Sequence, residues 1–251
     1  MSEHATVSLT TIPTRLNVDT TFGGRSDGMM LCLNSLLDQS HDNYEIHFNI
    51  PLTNKHTGDE YIIPNWVRDL EGDILKIFRT DDHGPATKLI PTLSRIADPE
   101  EIIIICDDDL VYHKDMVSEQ IKNQSKFPGC AVGYDGIRVK SPIFNDTRDY
   151  YFSSCRIDAE VIVIQGYKTV SYRRKYFEED FFPVFLSKSW NDDIVISSYL
   201  AFRNIKKMVT FHESDPILSS LAEWQDRGGV ATFPVLRHTA HETLEGCNLK
   251  R

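Results

Sequence analysis

The stretch Ile102-Ile103-Ile104-Ile105-Cys106-Asp107-Asp108-Asp109 decides how the rest of the chain is understood. Five consecutive apolar residues, four of them β-branched, are too short for a free-standing helix and have no polar alternate positions. They predict a strand covered on both faces, as in the interior of a parallel sheet. The strand ends in three carboxylates, and in open α/β sheets ligands bind in the crevice beyond the carboxyl ends of the strands. Adjacent like charges repel unless a cation neutralises them, and an all-oxygen cluster suits Mg2+ or Mn2+ better than zinc. The competing interpretation is an Asp-rich surface turn capping a helix near Lys114. Placement directly after a buried strand favours the metal.

Composition bounds what surrounds that strand. A chain of 251 residues has room for one large domain or at most two small ones, and a single domain over 1–251 is expected. Hydrophobic content of 41% and charged content of 25% are those of an ordinary globular protein, and no apolar run is long enough to span a bilayer. The first residues carry Glu3 and His4 with no basic or apolar leader pattern, so a cytoplasmic location is expected. Cys32, Cys106, Cys130, Cys155 and Cys247 are odd in number and widely spaced, which predicts reduced thiols rather than a disulfide framework or zinc site. A net charge of −10 argues against a general nucleic-acid binder, because phosphate backbones are held by excess Lys and Arg.

Working outward, residues 6–12 alternate apolar and hydroxyl side chains and predict a first strand stopped by Pro13, with Arg15 just beyond. From Ser26 and Asp27, both cap candidates, Met30, Leu33, Leu36 and Leu37 recur at helical spacing. Residues 44–50 alternate again, with Ile46, Phe48 and Ile50 on one face, completing a βαβ unit. A short helix within 62–70 and a strand over 74–78 follow. Gly84 and Pro85 then turn the chain so that Thr87 and Lys88 fall at a helix N-terminus, a ready anion site; a solvated surface lysine is the alternative. Beyond the acidic triplet, a helix over about 113–124 and a strand edge at 130–133 are expected. Residues 134–158 lack periodicity and suggest a long functional loop, after which 159–164 form a second apolar strand followed by Gly166 and Tyr167. Trp190 and Asn191 precede Asp192 and Asp193, which open a helix; carboxylates there complement the helix dipole, but a pair beside an aromatic residue also suits a pocket. A last strand covers 207–211. In the tail, His238 and His241 are metal candidates whose ordinary reading is surface histidine. Strands alternating with helices around a central apolar strand give an α/β sandwich with a mainly parallel central sheet, to which the second half adds a smaller antiparallel part.

Four segments in this order resemble the GT-A glycosyltransferase superfamily, whose members use nucleotide-diphosphate sugars. They are Val7 to Arg15, Gly84 to Leu89, the Asp107 to Asp109 triplet after its isoleucine strand, and Asn191 to Ile194 at a helix start. The resemblance covers roughly residues 6–212, and no single piece is diagnostic. It implies a Rossmann-like fold with a nucleotide-sugar half over about 6–133 and an acceptor half over about 134–251. It further implies that Thr10, Thr11 and Arg15 seat the nucleotide and that Asp107 to Asp109 act as the DxD motif. In that motif the last Asp, Asp109, binds the divalent cation, while Asp107, and with it Asp108, lies toward the donor. Lys88 would meet the diphosphate or donor sugar. Gly166, Tyr167 and Trp190 would line the acceptor side, and a C-terminal histidine, His238 or His241, would complete the metal site. Asn191-Asp192-Asp193 resembles the xED motif of inverting members, with Asp193 as base; Asp192 stands where Glu is usual, so the choice between them is open.

The chemistry supports the same mechanism. Departure of a nucleoside diphosphate needs its growing charge neutralised, a Lewis-acid role for Mn2+ or Mg2+ held by carboxylates. The acceptor hydroxyl must lose a proton as it attacks, and a carboxylate is the suitable base. The expected activity is transfer from a nucleoside-diphosphate sugar, UDP-sugar favoured, to a glycan hydroxyl with inversion; retention follows if neither Asp192 nor Asp193 reaches the acceptor. The rivals are a sugar-phosphate nucleotidyltransferase, for which no Gly-rich Lys/Arg loop is recognised after the first strand, and a non-catalytic nucleotide-sugar-binding module.

Overall fold

In the computed structural model, residues 2–16, 27–139, 148–152, 157–182, 192–211 and 217–220 are described. Strand β1 (Ala5–Thr10) is followed by a short helix α1 (Pro13–Leu16) and by α2 (Asp27–Leu37). Pro13 therefore starts a helix rather than only stopping a strand, because its fixed φ suits a first helical position. Next come β2 (Tyr44–Pro51), α3 (Asn65–Arg68), β3 (Leu75–Thr80), a 3-10 helix (Gly84–Lys88) and α4 (Ile90–Arg95). The apolar stretch is β4 (Ile102–Cys106), followed by β5 (Leu110–Tyr112) and α5 (Met116–Lys126). The second half holds β6 (Cys130–Val139), β7 (Arg148–Phe152), β8 (Ala159–Glu160), β9 (Val163–Arg173), α6 (Asp192–Phe202), β10 (Lys206–Val209) and β11 (Ile217–Ser220).

One nine-stranded mixed sheet runs β3-β2-β1-β4-β9-β6-β10-β8, with β7 on β6, and β5 pairs separately with β11. Strands β3, β2, β1 and β4 are mutually parallel, whereas β9 is antiparallel to both β4 and β6. Strand β4 lies inside the sheet and is covered twice, as its uninterrupted apolar sequence requires. Ile102, Ile104 and Cys106 join the core packed by α2 and α5, while Ile103 and Ile105 join the opposite core packed by α4 and α6.

Several expectations are corrected. On α2 the buried stripe is Met29, Cys32, Leu33 and Leu36, and Met30 is exposed, so the helix is rotated from the predicted face by its contact with the sheet. The segment 134–158 is not one long loop: β6 continues to Val139 and pairs with β7. The two strands are neighbours in sequence, but Gly133 and Gly136 interrupt β6, and glycine is a poor strand former, so no clear alternation announces it. The apolar run 159–164 is split between β8 and β9, and Gly166 and Tyr167 lie within β9 rather than after a strand. Strand β11 was not anticipated. Of the cysteines in the described residues, Cys32, Cys106 and Cys130 are free thiols, and none of the described helices is long and apolar enough to cross a membrane.

Strand β6 passes tightly between Val161 and Val209: a Cβ on Gly136 would come within 2.8 and 2.9 Å of the Val161 methyls and 2.9 Å of Val209 Cγ2. The Gly136→Ala variant is therefore expected to lose about 1–3 kcal/mol of stability by overpacking. Urea unfolding should show an earlier midpoint with an unchanged slope; an unaltered midpoint would mean that the neighbouring strands yield freely.

Candidate active site

Parallel pairing of β1 with β4, Leu9 opposite Cys106, brings the residues that follow each strand together although they are far apart in sequence. Thr11 Oγ1 donates to Asp108 Oδ2 at 2.6 Å. Arg15, one turn further on in α1, donates through Nη1 to Asp108 Oδ1 and through Nη2 to Asp109 Oδ2 at 3.2 Å. Both oxygens of Asp108 are thus taken by protein donors. Thr10 faces elsewhere, its hydroxyl donating to the Asn49 carbonyl at 2.8 Å.

Lys88 arrives from the other side of β1. It ends the 3-10 helix, and Ser8 Oγ donates to its carbonyl. Ser8 in turn sits in a buried polar network, with Asn49 Nδ2 donating to Ser8 Oγ and Thr92 Oγ1 at 3.0 Å each. Held this way, Lys88 is buried rather than solvated, and its ammonium donates to Asp107 Oδ1 at 2.6 Å and lies 3.9 Å from Asp192 Oδ2. Thr87 is not turned toward a ligand; its Oγ1 accepts the His83 N–H at 2.8 Å and closes the turn.

Residues of β9 and α6 expected on the acceptor side meet the same lysine. Between the pairs Gly133–Val170 and Asp135–Gln165, β6 advances through Tyr134 alone while β9 passes Gly166, Tyr167, Lys168 and Thr169. Such a bulge re-aims the backbone beside it. The Gly166 N–H donates to Asp193 Oδ1 at 2.9 Å, and a Cβ on Gly166 would lie 3.2 Å from Asp193 Oδ1, from Ile105 Cδ1 and from Lys88 Nζ. Tyr167 is 38% exposed. Lys88, Asp107, Asp192, Asp193 and Gly166 therefore form one cluster at the carboxyl end of β4, joined to Thr11 and Arg15 through the triplet. Trp190, Asn191, His238 and His241 lie outside the described residues.

Electrostatics follow from this crowding. Burial raises the Asp107 carboxyl to about 7 despite the Lys88 ammonium, with Asp109 and Asp108 adding to the rise; its side chain nonetheless keeps 26% of its surface, the open edge of the cluster. Burial and Asp192 raise Asp193 to about 6, restrained by Lys88 and the Gly166 N–H. Burial also raises Asp108, against Arg15 and Thr11. Burial alone would lower Lys88 and Arg15, but their carboxylate neighbours outweigh it and hold both cations firmly protonated.

Sequence reasoning missed Tyr112. Its hydroxyl accepts the Asp107 N–H at 2.8 Å and donates to the Asp107 carbonyl at 3.0 Å, pinning the backbone at the end of β4. The only local signal was an apolar-aromatic run straight after three acids. Tyr61 was also missed; it is buried, and burial with Asp82 and Asp108 raises its hydroxyl to about 12.

No protein-family model matches the sequence, and no curated protein matches it. Among solved structures, S. aureus TarS residues 1–349 in complex with UDP superimposes with a TM-score of 0.55 at 13% identity, over 86% of this chain and 59% of that one. The mannosyltransferase PcManGT from Pyrobaculum calidifontis, in complex with GDP-Man and Mn2+, superimposes with a TM-score of 0.53 at 18% identity, over 83% and 55%. A 4-diphosphocytidyl-2C-methyl-D-erythritol synthase does so with a TM-score of 0.50 at 8% identity, over 88% and 96%. The chain has the GT-A fold. It spans only a little over half the length of the TarS and PcManGT chains.

Whether the Asp107–Asp109 triplet suits a cation depends on its own atoms. Asp109 is 5% exposed, and its Oδ1 is buried with no hydrogen-bond partner. A buried carboxylate oxygen without a donor is costly unless something positive meets it. Among the described residues no three ligating side chains converge on one point. The donor set fits a hard cation held by one or two carboxylates with the remaining positions left to phosphate and water, as Mg2+ is usually bound.

Asp107 and Asp193 both have folded values above the ordinary 3.8. Each favours the protonated form on folding, so its stabilising contribution is full below about pH 4 and is lost as pH rises through about 6 and about 7. Lys88 offsets that loss. In EDTA, Lys88→Met is therefore expected to be closer to wild type in urea midpoint at about pH 5 than at about pH 8. A gap that stays constant with pH would contradict the coupling.

Proposed function

We propose that this chain transfers a sugar from a nucleoside-diphosphate sugar, with a UDP-sugar favoured, to a hydroxyl of a glycan acceptor, with inversion and with Mn2+ or Mg2+ as cofactor. The observation that carries the reading is the Lys88 ammonium, buried between Asp107 of the triplet and the Asp192–Asp193 pair that opens α6. It joins a donor side and an acceptor side in one cluster.

Asp109 and Asp107 are the residues that would hold the cation, which when bound supplies Lewis-acid stabilisation of the departing diphosphate. Lys88 and Arg15 add fixed positive charge on that side. Asp193 is the base: the Gly166 N–H fixes its Oδ1, and a value near 6 leaves it ionised at neutral pH yet basic enough to take a proton. As the acceptor oxygen bonds to the anomeric carbon, its proton passes to Asp193 and the carbon–oxygen bond to the diphosphate breaks, the electron pair leaving with the diphosphate. Asp192 is the weaker candidate because the Gly166 N–H orients Asp193 and not Asp192, whose Oδ2 lies 3.9 Å from the Lys88 ammonium. Tyr167, in the β9 bulge and partly exposed, offers an aromatic face for an acceptor sugar.

A nucleotidyltransferase is the second reading. The synthase of the same fold is matched over nearly its whole length, and Gly23-Gly24-Arg25, outside the described residues, do follow the first strand, so the lack of a Gly-rich basic loop is not an argument against it.

Calorimetric titration with UDP, GDP and CTP, each with Mn2+ and with EDTA, separates these. A transferase should bind one nucleoside diphosphate only with the metal, and Asp109→Ala should abolish that binding. Preference for CTP with Mn2+ would favour the nucleotidyltransferase, and no binding to any would remove both. With the donor identified, Asp193→Asn should lower transfer by about 10^2 to 10^4 while leaving nucleotide affinity unchanged. Wild-type transfer should rise with pH through about 6 as the base ionises; a donor-binding protein in which this variant changes nothing would be a binding module.

A further inference from the structure

We infer that Arg15 is a built-in counter-ion of the acidic triplet, which occupies Asp109 when no divalent cation is bound and gives it up when one enters. The inference rests on the proposed function for the purpose of the cation, while its geometry is that of this chain's own side chains. The guanidinium forks across two neighbouring carboxylates that are satisfied very unequally. Asp108 has a protein donor on each oxygen, Arg15 on Oδ1 and Thr11 on Oδ2 at 2.6 Å. Asp109 has one contact, from Arg15 Nη2 at 3.2 Å, and its Oδ1 is buried without any partner. Arg15 Nε is likewise buried without a partner.

Asp108 is thus an internal ligand of the protein, and it anchors the arginine. Asp109 is the member left incomplete, and the bond it does receive is the long one of the fork. Releasing that bond frees Asp109 for a cation while the guanidinium stays tethered to Asp108, where it also keeps a second buried carboxylate neutralised. Two consequences follow. The metal-free protein is held together at this point without a cation, and a cation alone must displace an arginine to bind.

The test is Mn2+ binding to nucleotide-free protein, by calorimetry or by the spin resonance of free Mn2+, in wild type, Arg15→Gln, Arg15→Lys and Asp109→Asn. Arg15→Gln should bind Mn2+ roughly tenfold more tightly than wild type, the scale of one charge-assisted hydrogen bond no longer opposing the ion. Arg15→Lys keeps the charge but cannot span both carboxylates, so it should also bind more tightly than wild type, by less. Asp109→Asn should abolish binding. Mn2+ should raise the melting temperature of Arg15→Gln more than that of wild type, and the lysine variant preserves the test if the glutamine variant folds poorly. Equal or weaker Mn2+ affinity in both Arg15 variants overturns the counter-ion role, while Mn2+-dependent nucleotide binding by wild type would still support the transferase reading. Failure of every variant to bind Mn2+, with or without UDP or GDP, overturns both.

Discussion

Carboxylates placed at the end of a buried strand must be neutralised where they stand, and most of the site's architecture answers that requirement. Asp107, Asp108 and Asp109 follow β4, which has β1 on one side and β9 on the other. Water cannot solvate all three, so cations have to be delivered from neighbouring elements. Arg15 is delivered by the short helix α1 after β1 and Lys88 by the 3-10 helix after β3. Lys88 is buried and Arg15 largely so, and each is kept charged by the acids it faces. The parallel sheet therefore carries a set of matched ion pairs along its carboxyl edge, where a single missing partner would leave a buried charge exposed to the full desolvation penalty.

Delivery in turn demands a rigid frame. Lys88 is placed by its backbone, through Ser8 and the Asn49–Thr92 network, before its ammonium is placed by Asp107. Asp107 is placed from both ends, its side chain by Lys88 and its peptide groups by Tyr112. A flexible lysine on a surface loop would lose rotamer freedom on meeting an anion. One already locked in a buried network has little left to lose, which is the physical meaning of preorganisation here.

The antiparallel half contributes through one irregularity. Strand β9 pairs with β4 only as far as Thr169, and beyond that point its bulge carries Gly166 over the end of β4. There space is tight, since a Cβ would press on the side-chain ends of Asp193, Ile105 and Lys88 together at 3.2 Å each. The N–H that the bulge exposes fixes Asp193, so a departure from regular pairing joins the two halves of the sheet into one cluster.

The sequence by itself determined the position and double burial of β4, the α/β alternation of the first half, the acidic end of the central strand and the pairing of two acids with a helix start. These are signals of local period and adjacency, and neighbouring residues are enough to express them. It also named Thr11, Arg15, Lys88, Gly166 and Asp193, though without saying which would touch. Tertiary structure decided that Lys88 is buried, that Asp108 is consumed by Thr11 and Arg15 while Asp109 is left incomplete, and that Tyr112 pins Asp107. It also decided that α2 turns Met29 inward, that β6 runs on to Val139, and that β7 and the β9 bulge exist at all. Those outcomes depend on which strands lie side by side and in what register, and pairing between remote segments leaves no period in either one.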